Sequence, residues 1–217
     1  MTTYSHLTEI QVIDIIINGD KAAFEVLVRK YNPMLYNIGR AYGYNHQDVE
    51  DLMQCTFINA YKSLSKLKDK AFFKTWLTRI MLNECYRNHN KPVLKKSFEV
   101  NGLLYEKDIP AYLNSTNSGT EKEVANRELN SVVKKAINEI PLDYRLVFSL
   151  RELNGMNVSE TARALNITET NVKVRLNRAK AMLRKEIQKT YSVAEIFEFN
   201  LIYCDKVVSR IIEGINE

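Results

Sequence analysis

The sequence predicts an all-helical protein, because apolar residues recur at helical spacing along it while helix-breaking residues are scarce. Only 7 glycines and 4 prolines occur among 217 residues, and hydrophobic residues make up 45% of the chain. No segment shows the strict alternation of apolar and polar residues that is typical of a half-buried strand. The length suggests one or two domains, and the loss of periodicity after residue 91 leads us to predict two small helical domains joined by a linker and followed by a C-terminal helical extension.

The first domain, residues 1–91, is predicted to contain four helices. Thr8 and Gln11 have the spacing of a capping box ahead of a helix at about 9–18. A second helix opens at Asp20, and Pro33 is expected to kink or interrupt it. The third and fourth helices are predicted at about 46–66 and from the Phe-rich segment near 72 to about 90.

The third helix carries Asp48, Glu50 and Asp51 in its first turns, and Gln54 continues the same polar surface. Acidic residues at this end complement the helix dipole, and their spacing alone favours a solvated face. The alternative is a face that docks on another protein.

Basic and aromatic residues are interleaved where the third helix leads into the fourth: Lys66, Lys68, Lys70, Phe72 and Trp76. This composition suits single-stranded nucleic acid, because bases stack on rings while ammonium groups neutralise phosphates. Core roles are nevertheless expected for Trp76, Ile80 and at least one phenylalanine, since their spacing with Leu77 is helical. Arg79, Asn83 and Arg87 are predicted on the polar side of the fourth helix.

A linker is predicted at 92–120 from its loss of periodicity and its Asn/Ser/Thr-rich end, and a second domain at 121–190. Thr120 and Glu123 form a capping box for a helix that Pro141 ends, and a further helix runs from about 143 to 153.

Residues 158–185 predict a helix-turn-helix, with Ser159 as the first N-cap, Asn166 in the turn and Thr168 as the second N-cap. The second helix has an apolar stripe and an outer face that is mostly basic. That outer face carries Asn171, Val174, Arg178 and Lys185, flanked by Lys173, Arg175, Asn177 and Lys180. Such a helix fits the DNA major groove. The alternative is a solvated helix whose basic residues complement the dipole.

Composition excludes several other classes of protein. Three widely separated cysteines show no metal-ligand spacing and fit a reducing cytoplasm, and the apolar runs are too short to cross a membrane. We find no signal peptide, no phosphate-binding Gly-rich loop and no nucleophile constellation. The sequence therefore predicts no enzyme activity, no catalytic residue, no cofactor and no metal.

Four segments together resemble the extracytoplasmic-function (ECF) sigma factors of the sigma-70 family, over roughly residues 18–188. They are the third-helix segment Asp48-x-Glu50-Asp51-Leu52-x-Gln54, the segment Phe73-x-x-Trp76-Leu77-x-x-Ile80-x-x-Asn83, the pair Ile140-Pro141, and the segment Val172-Lys173-x-Arg175-Leu176-x-Arg178-Ala179. Departures lie at Thr170-Asn171, where members often have Gly-Thr, at Val174, where Ser is common, and at residues 84–87, where a frequent Asp is absent.

The resemblance implies a transcription initiation factor that binds RNA polymerase core and directs it to promoters. It implies docking on the polymerase clamp coiled coil through Asp48, Asp51 and Gln54, which reverses the preference for a solvated face. Minus-ten recognition and melting would use Lys66, Lys68, Lys70, Phe72, Trp76, Arg79, Asn83 and Arg87. Minus-thirty-five recognition would use Thr170, Asn171, Lys173, Val174, Arg175 and Arg178. The polymerase flap and promoter DNA are further implied partners, and an anti-sigma factor remains an open possibility.

The runner-up is a stand-alone regulator whose helix-turn-helix binds operators as a dimer. It would need a dimerisation surface and a ligand pocket, and neither is evident in the sequence.

The extension 191–217 is acidic and carries apolar residues at helical spacing, which predicts an amphipathic helix from about 201 to 215. Packing on the protein's own domains is favoured over waiting for a partner helix, because monomers rarely expose so large an apolar patch.

Overall fold

The computed structural model describes Tyr4, residues 6–89 and residues 132–190, and all regular elements in these ranges are helical. This confirms the all-helical prediction for the part of the chain that is described. The predicted linker, the Thr120 capping box and the C-terminal extension lie outside the described residues. The helices are α1 (Glu9–Ile17), α2 (Phe24–Tyr42), α3 (His46–Ser63), α4 (Phe73–His89), α5 (132–139), α6 (Leu142–Phe148), α7 (Val158–Leu165) and α8 (Glu169–Thr190).

Helix α1 begins at the capping box predicted from the sequence. The Thr8 hydroxyl accepts a hydrogen bond from the Gln11 backbone N–H, and the Gln11 side-chain oxygen accepts one from the Thr8 N–H at 2.8 Å. The Tyr31 hydroxyl donates to the Glu9 carboxylate at 2.5 Å, which ties α1 to α2. These bonds fix the first helix against the remainder of the N-terminal domain.

Helix α2 is continuous through Pro33, so of the two predicted effects, a kink or an interruption, the interruption is wrong. Proline removes one backbone hydrogen bond and crowds the preceding turn. Pro33 lies on the exposed side of the helix, whereas Tyr31, Leu35 and Ile38 are buried on the other side. Packing of that apolar face stabilises the helix on both sides of the proline.

The backbones of α2 and α3 approach closely at Gly39. A β-carbon built at Gly39 would lie 2.8 Å from both γ-methyl groups of Val49. That distance is shorter than van der Waals contact, so only glycine lets Val49 pack directly on the α2 backbone. The contact helps to set the angle at which α3 presents its outer face.

Helix α6 ends in a π-helical turn, Ser149–Leu153, which the sequence did not predict. The Asn154 N–H donates to the Ser149 carbonyl at 3.0 Å, a bond that spans five residues instead of four. Gly155 follows with a φ of +59°, a left-handed conformation that glycine adopts without strain. The extra residue and this turn together direct Met156 back toward the N-terminal domain.

The helix-turn-helix consists of α7 and α8, and its turn matches the prediction. Asn166 has a φ of 54° and a ψ of 47°, and the Thr168 hydroxyl accepts from the Asn171 N–H at 3.2 Å. The assignment of Ser159 as first N-cap is wrong. The cap is Asn157, whose side chain accepts from the Glu160 N–H at 2.8 Å while Glu160 accepts from the Asn157 N–H at 2.7 Å. The segment Asn157-x-x-Glu160 has the capping-box spacing that would have identified it.

The two groups of helices share one hydrophobic core. Leu146, Leu150, Met156 and Ala164 are buried together with residues of α1 to α4. The Asn37 side-chain amide donates to the Asn154 side-chain oxygen at 2.9 Å, and Lys74 Nζ donates to the Asn154 carbonyl at 3.1 Å. Helix α7 lies against α4, and a second, smaller core of Val147, Ala162 and Val172 holds α7 to α6 and α8.

Candidate nucleic-acid and protein interfaces

One side of α4 carries four of the predicted nucleic-acid residues, which we call the α4 stripe: Trp76, Arg79, Asn83 and Arg87. At 100° per residue these positions fall within an arc of about 80°. Arg79, Asn83 and Arg87 are exposed, and Trp76 is half-buried against the core. The helix therefore brings an aromatic ring, two cations and an amide onto one continuous polar surface.

The two phenylalanines that precede the stripe have opposite environments. Phe73 is 0% exposed in the core, and Phe72 is 42% exposed in the turn before α4. Only Phe72 is accessible to a base, so the sequence-based expectation that at least one phenylalanine is core is confirmed. The guanidinium of Arg163, on α7, lies 4.4 Å from the centre of the Phe72 ring, which is cation–π distance.

The three predicted lysines of this region differ in their availability. Lys66 and Lys68 are exposed. Lys70 is half-buried and forms an ion pair with Asp14 of α1. A phosphate would therefore compete with a carboxylate for Lys70, while the other two ammonium groups are open to solvent.

Arg87 is anchored by an acid, Glu84, that was not predicted as a site residue. The Glu84 carboxylate, only 8% exposed, accepts from Arg87 Nη2 at 2.6 Å and from Asn59 Nδ2 at 3.0 Å. The buried carboxylate fixes one edge of the guanidinium and links α4 to α3. A glutamate three residues before an arginine on the same helix is the sequence signal that predicts such a pair.

The predicted docking residues lie on α3, away from the core. Asp48 and Asp51 line one side of a cleft of about 200 Å³ with Cys55, whereas Gln54 is exposed but is not among the residues that line the cleft. Burial raises the pKa of the Asp48 carboxyl above its ordinary value, and the nearby Asp51 charge raises it further. The face thus holds negative charge that a cationic partner would stabilise.

The outer face of α8 has the predicted polar and basic character. Thr170, Asn171, Lys173 and Arg178 are exposed, and Val174 is 40% exposed. Val172 and Ala179 are fully buried on the opposite side, as the helical spacing predicted.

Two acids near α8 hold its cations, and neither was assigned from the sequence. Arg175 is half-buried and lies 3.3 Å from the Asp143 carboxylate, and Lys180 lies 3.0 Å from Glu152. Both acids belong to the preceding helical segment. Their positions are set by the tertiary packing of α6 on α8, which helical spacing within α8 does not report.

Within Tyr4, residues 6–89 and residues 132–190, no group of three or more His, Cys, Asp or Glu side chains is arranged to bind a metal ion. None of the helices in these ranges is both long and apolar enough to span a bilayer.

Fold and surfaces together define a helical protein that combines a helix-turn-helix with an aromatic, basic helix face, and both features suit DNA binding. Residues 27–91 match sigma-70 region 2, and residues 131–183 match sigma-70 region 4. The chain is 28% identical to the ECF RNA polymerase sigma-E factor of Haemophilus influenzae over 193 residues, covering 84% of this chain and 96% of that protein. It is 32% identical to the RNA polymerase sigma factor NccH of Alcaligenes xylosoxydans over 174 residues, covering 79% and 90%.

Two solved structures share the fold. CnrH in complex with the cytosolic domain of CnrY has a TM-score of 0.58 at 23% identity and covers 84% of this chain and 99% of that chain. The sigma factor RpoE in complex with the anti-sigma factor NepR from Bartonella quintana has a TM-score of 0.56 at 22% identity, covering 76% and 96%. The protein belongs to the ECF sigma factors of the sigma-70 family. It is therefore a transcription initiation factor and not an enzyme.

Proposed function

We propose that this sigma factor divides promoter recognition between two domains, residues 1–91 and 121–190, connected by the linker 92–120. The N-terminal domain binds core polymerase through α3 and reads and melts the minus-ten element through the turn before α4 and the α4 stripe. The C-terminal domain reads the minus-thirty-five element through α8. The observation that carries this proposal is the separation of charge, with an acidic face on α3 and basic faces on α4 and α8.

The α3 face suits a basic protein surface. The charged form of the Asp48 carboxylate is disfavoured, because the group is partly buried and lies next to the negative charge of Asp51. A lysine or arginine of the polymerase clamp placed in the cleft would offset this effect and favour the charged form. Gln54, farther around the helix, would add a hydrogen bond at the edge of the contact.

The region from Lys66 to Arg87 suits a separated DNA strand. Lys66 and Lys68 attract the phosphates, Phe72 offers an exposed ring to one base, and the α4 stripe continues along the strand. Stacking on aromatic side chains replaces part of the base stacking that is lost on melting. Both the ring and the cations are needed, since charge alone does not favour single strands over duplex.

Helix α8 suits the major groove of duplex DNA. Lys173 and Arg178 are exposed for phosphate or guanine contacts, while Thr170 and Asn171 lie in its first turn, where recognition helices contact bases. When DNA binds, the Arg175 guanidinium leaves the Asp143 carboxylate and contacts the DNA instead. We place the protein in the cytoplasm, where polymerase and promoters are, and infer that a protein inhibitor of the anti-sigma type is among its partners, as in the RpoE–NepR complex.

Transcription with purified core polymerase tests the function as a whole. Core alone and core plus this protein would be given a library of promoter fragments, and transcripts would be sequenced. We expect a set of transcripts that depends on the protein and shares two upstream elements. Sequence-specific DNA binding as a dimer without any effect on core would instead identify a stand-alone regulator.

Replacing Val174 with serine should relax promoter selection at one base pair of the minus-thirty-five element. Val174 is apolar and exposed on the groove-facing side of α8, where it can contact a thymine methyl group. We expect the discrimination at that base pair to fall by about 1 kcal/mol, the low end of the cost of one mismatch. Selection from a randomised element measures it, with Ile10→Ser, an apolar-to-serine change at an exposed position of α1, as control. Identical selection profiles for Val174→Ser and the wild type would show that Val174 reads no base.

A further inference from the structure

Tyr86 is the most exposed large hydrophobic side chain of the described residues, at 64%. No residue in the ranges 6–89 and 132–190 forms a hydrogen bond or a ring contact with it. An aromatic ring left in water in this way contributes little to the stability of α4, and its exposure is unfavourable by the free energy of hydrating its apolar surface. The contacts of the described residues therefore give the Tyr86 side chain no structural role.

The position of Tyr86 on α4 points to its role. Arg79, Asn83 and Tyr86 have the spacing i, i+4, i+7, which places them in one row along the helix. Adding Tyr86 widens the arc of the α4 stripe from about 80° to about 100°. The ring is thus a neighbour of the exposed Asn83 amide, and the exposed Arg87 follows it in sequence.

We propose that Tyr86 is a second base-stacking residue for the minus-ten strand, at the opposite end of the α4 stripe from Phe72. The proposal rests on the function proposed above, since it assumes that α4 binds this element. The partner is a nucleobase, because Arg79 lies in the same row of the helix and supplies positive charge that attracts phosphates, and a basic surface with an exposed ring is the arrangement that binds single strands.

Helix length gives the separation between the two stacking sites. Thirteen residues separate Phe73, the first residue of α4, from Tyr86, which corresponds to about 20 Å along the axis. Stacked bases rise about 3.4 Å per nucleotide, so this distance corresponds to about six nucleotides, and to fewer if the strand is extended. Tyr86 and Phe72 would therefore hold the two ends of one short element.

The test combines a protein substitution with removal of single bases. Full-length protein bound to core polymerase would be titrated with fluorescent single-stranded oligonucleotides that carry the minus-ten sequence found by the transcription assay. Each oligonucleotide in a series would have an abasic site at one position. We expect Tyr86→Ala to weaken binding of the intact oligonucleotide about 5-fold to 150-fold, the range for loss of one base stack.

The coupling between the two changes identifies the contact. One abasic site should weaken DNA binding by the wild type but should not weaken binding by Tyr86→Ala any further. This site should lie about three to six nucleotides from the abasic site that shows the same coupling to Phe72→Ala. Tyr86→Phe should restore wild-type affinity, because stacking needs the ring and not the hydroxyl. Ile10→Ala, which shortens an exposed apolar residue on α1, should bind like wild type.

Each other outcome contradicts the proposal in a distinguishable way. Equal binding of Tyr86→Ala and wild type, with promoter-dependent transcription intact, rejects Tyr86 as a stacking residue and leaves the proposed function standing. Weaker binding of Tyr86→Ala to core polymerase with unchanged DNA affinity would make the ring a protein contact. Absence of any promoter-dependent transcription by wild type would reject the proposed function itself.

Discussion

Phe73→Ala should lower the free energy of unfolding by about 3–5 kcal/mol, while Phe72→Ala, one residue earlier, should change it by less than about 1 kcal/mol. Phe73 is fully buried between Tyr31 and Trp76, with ring centres 5.4 Å and 5.8 Å away, so its removal leaves a cavity in the core. Phe72 loses only its exposed contact with Arg163. Denaturant unfolding of the two variants measures the difference.

The same pair should respond in the opposite order when DNA binding is measured. Phe72→Ala should weaken binding of the minus-ten strand by about 1–3 kcal/mol, because one base loses its stacking surface. Phe73→Ala, tested at a temperature where it remains folded, should retain most of its affinity. A destabilised Phe72→Ala protein, or one with wild-type DNA affinity, would contradict the assignment of Phe72 to the strand.

Asp51→Lys should reduce affinity for core polymerase on the order of 10-fold to 100-fold, because it places two like charges opposite one another at the proposed contact. The side chain is exposed on α3 and lines the cleft next to Asp48, so the fold should tolerate the change to within about 0.5 kcal/mol. Titration of labelled protein with core polymerase measures the loss, together with circular dichroism to check the helices.

Glu139→Lys is the matched control for Asp51→Lys. It makes the same change in net charge at an exposed position of the helix at 132–139, outside the acidic face of α3. Its affinity for core should be close to that of wild type, and raising the salt concentration should reduce any residual difference through screening. Equal loss of affinity in both variants would mean that core binding responds to overall charge and not to the α3 face.

Local signals predicted the helices well, because capping residues and apolar spacing act within a few residues of chain. The Thr8 capping box, the left-handed Asn166 and the cap at Thr168 could be predicted because each is a contact between close neighbours in sequence. The cap at Asn157 is also predictable from its spacing to Glu160, although Ser159, two residues later, is an equally good N-cap by residue type. The cost of Pro33 to the helix is local, and the packing of the buried side of α2 outweighs it.

The features that were missed depend on contacts between distant parts of the chain. Asp143 and Glu152 reach α8 only because α6 packs against it, and the Lys70–Asp14 pair joins residues 56 positions apart. Tyr86 is not predictable from the sequence for a different reason. Its exposure is a property of the packed helix, and its residue type alone is as compatible with the core as with the surface.

The packing of α7 against α4 sets a geometric condition on promoter binding. Helices in contact have axes 8–10 Å apart, so α8, which packs on α7, lies within about 20 Å of α4. Promoter elements centred at minus ten and minus thirty-five are about 25 base pairs apart, which is about 85 Å of duplex at 3.4 Å per base pair. Both elements are out of reach of one packed molecule at the same time.

Simultaneous contact therefore requires the interface around Met156 and Asn154 to separate. The 42 residues between 89 and 132 are long enough for this, since a fully extended chain of that length would span about 140 Å. The free energy that holds the two halves together is then subtracted from the free energy of binding polymerase and promoter. The size of that interface free energy determines how tightly polymerase and promoter have to bind before the two halves separate.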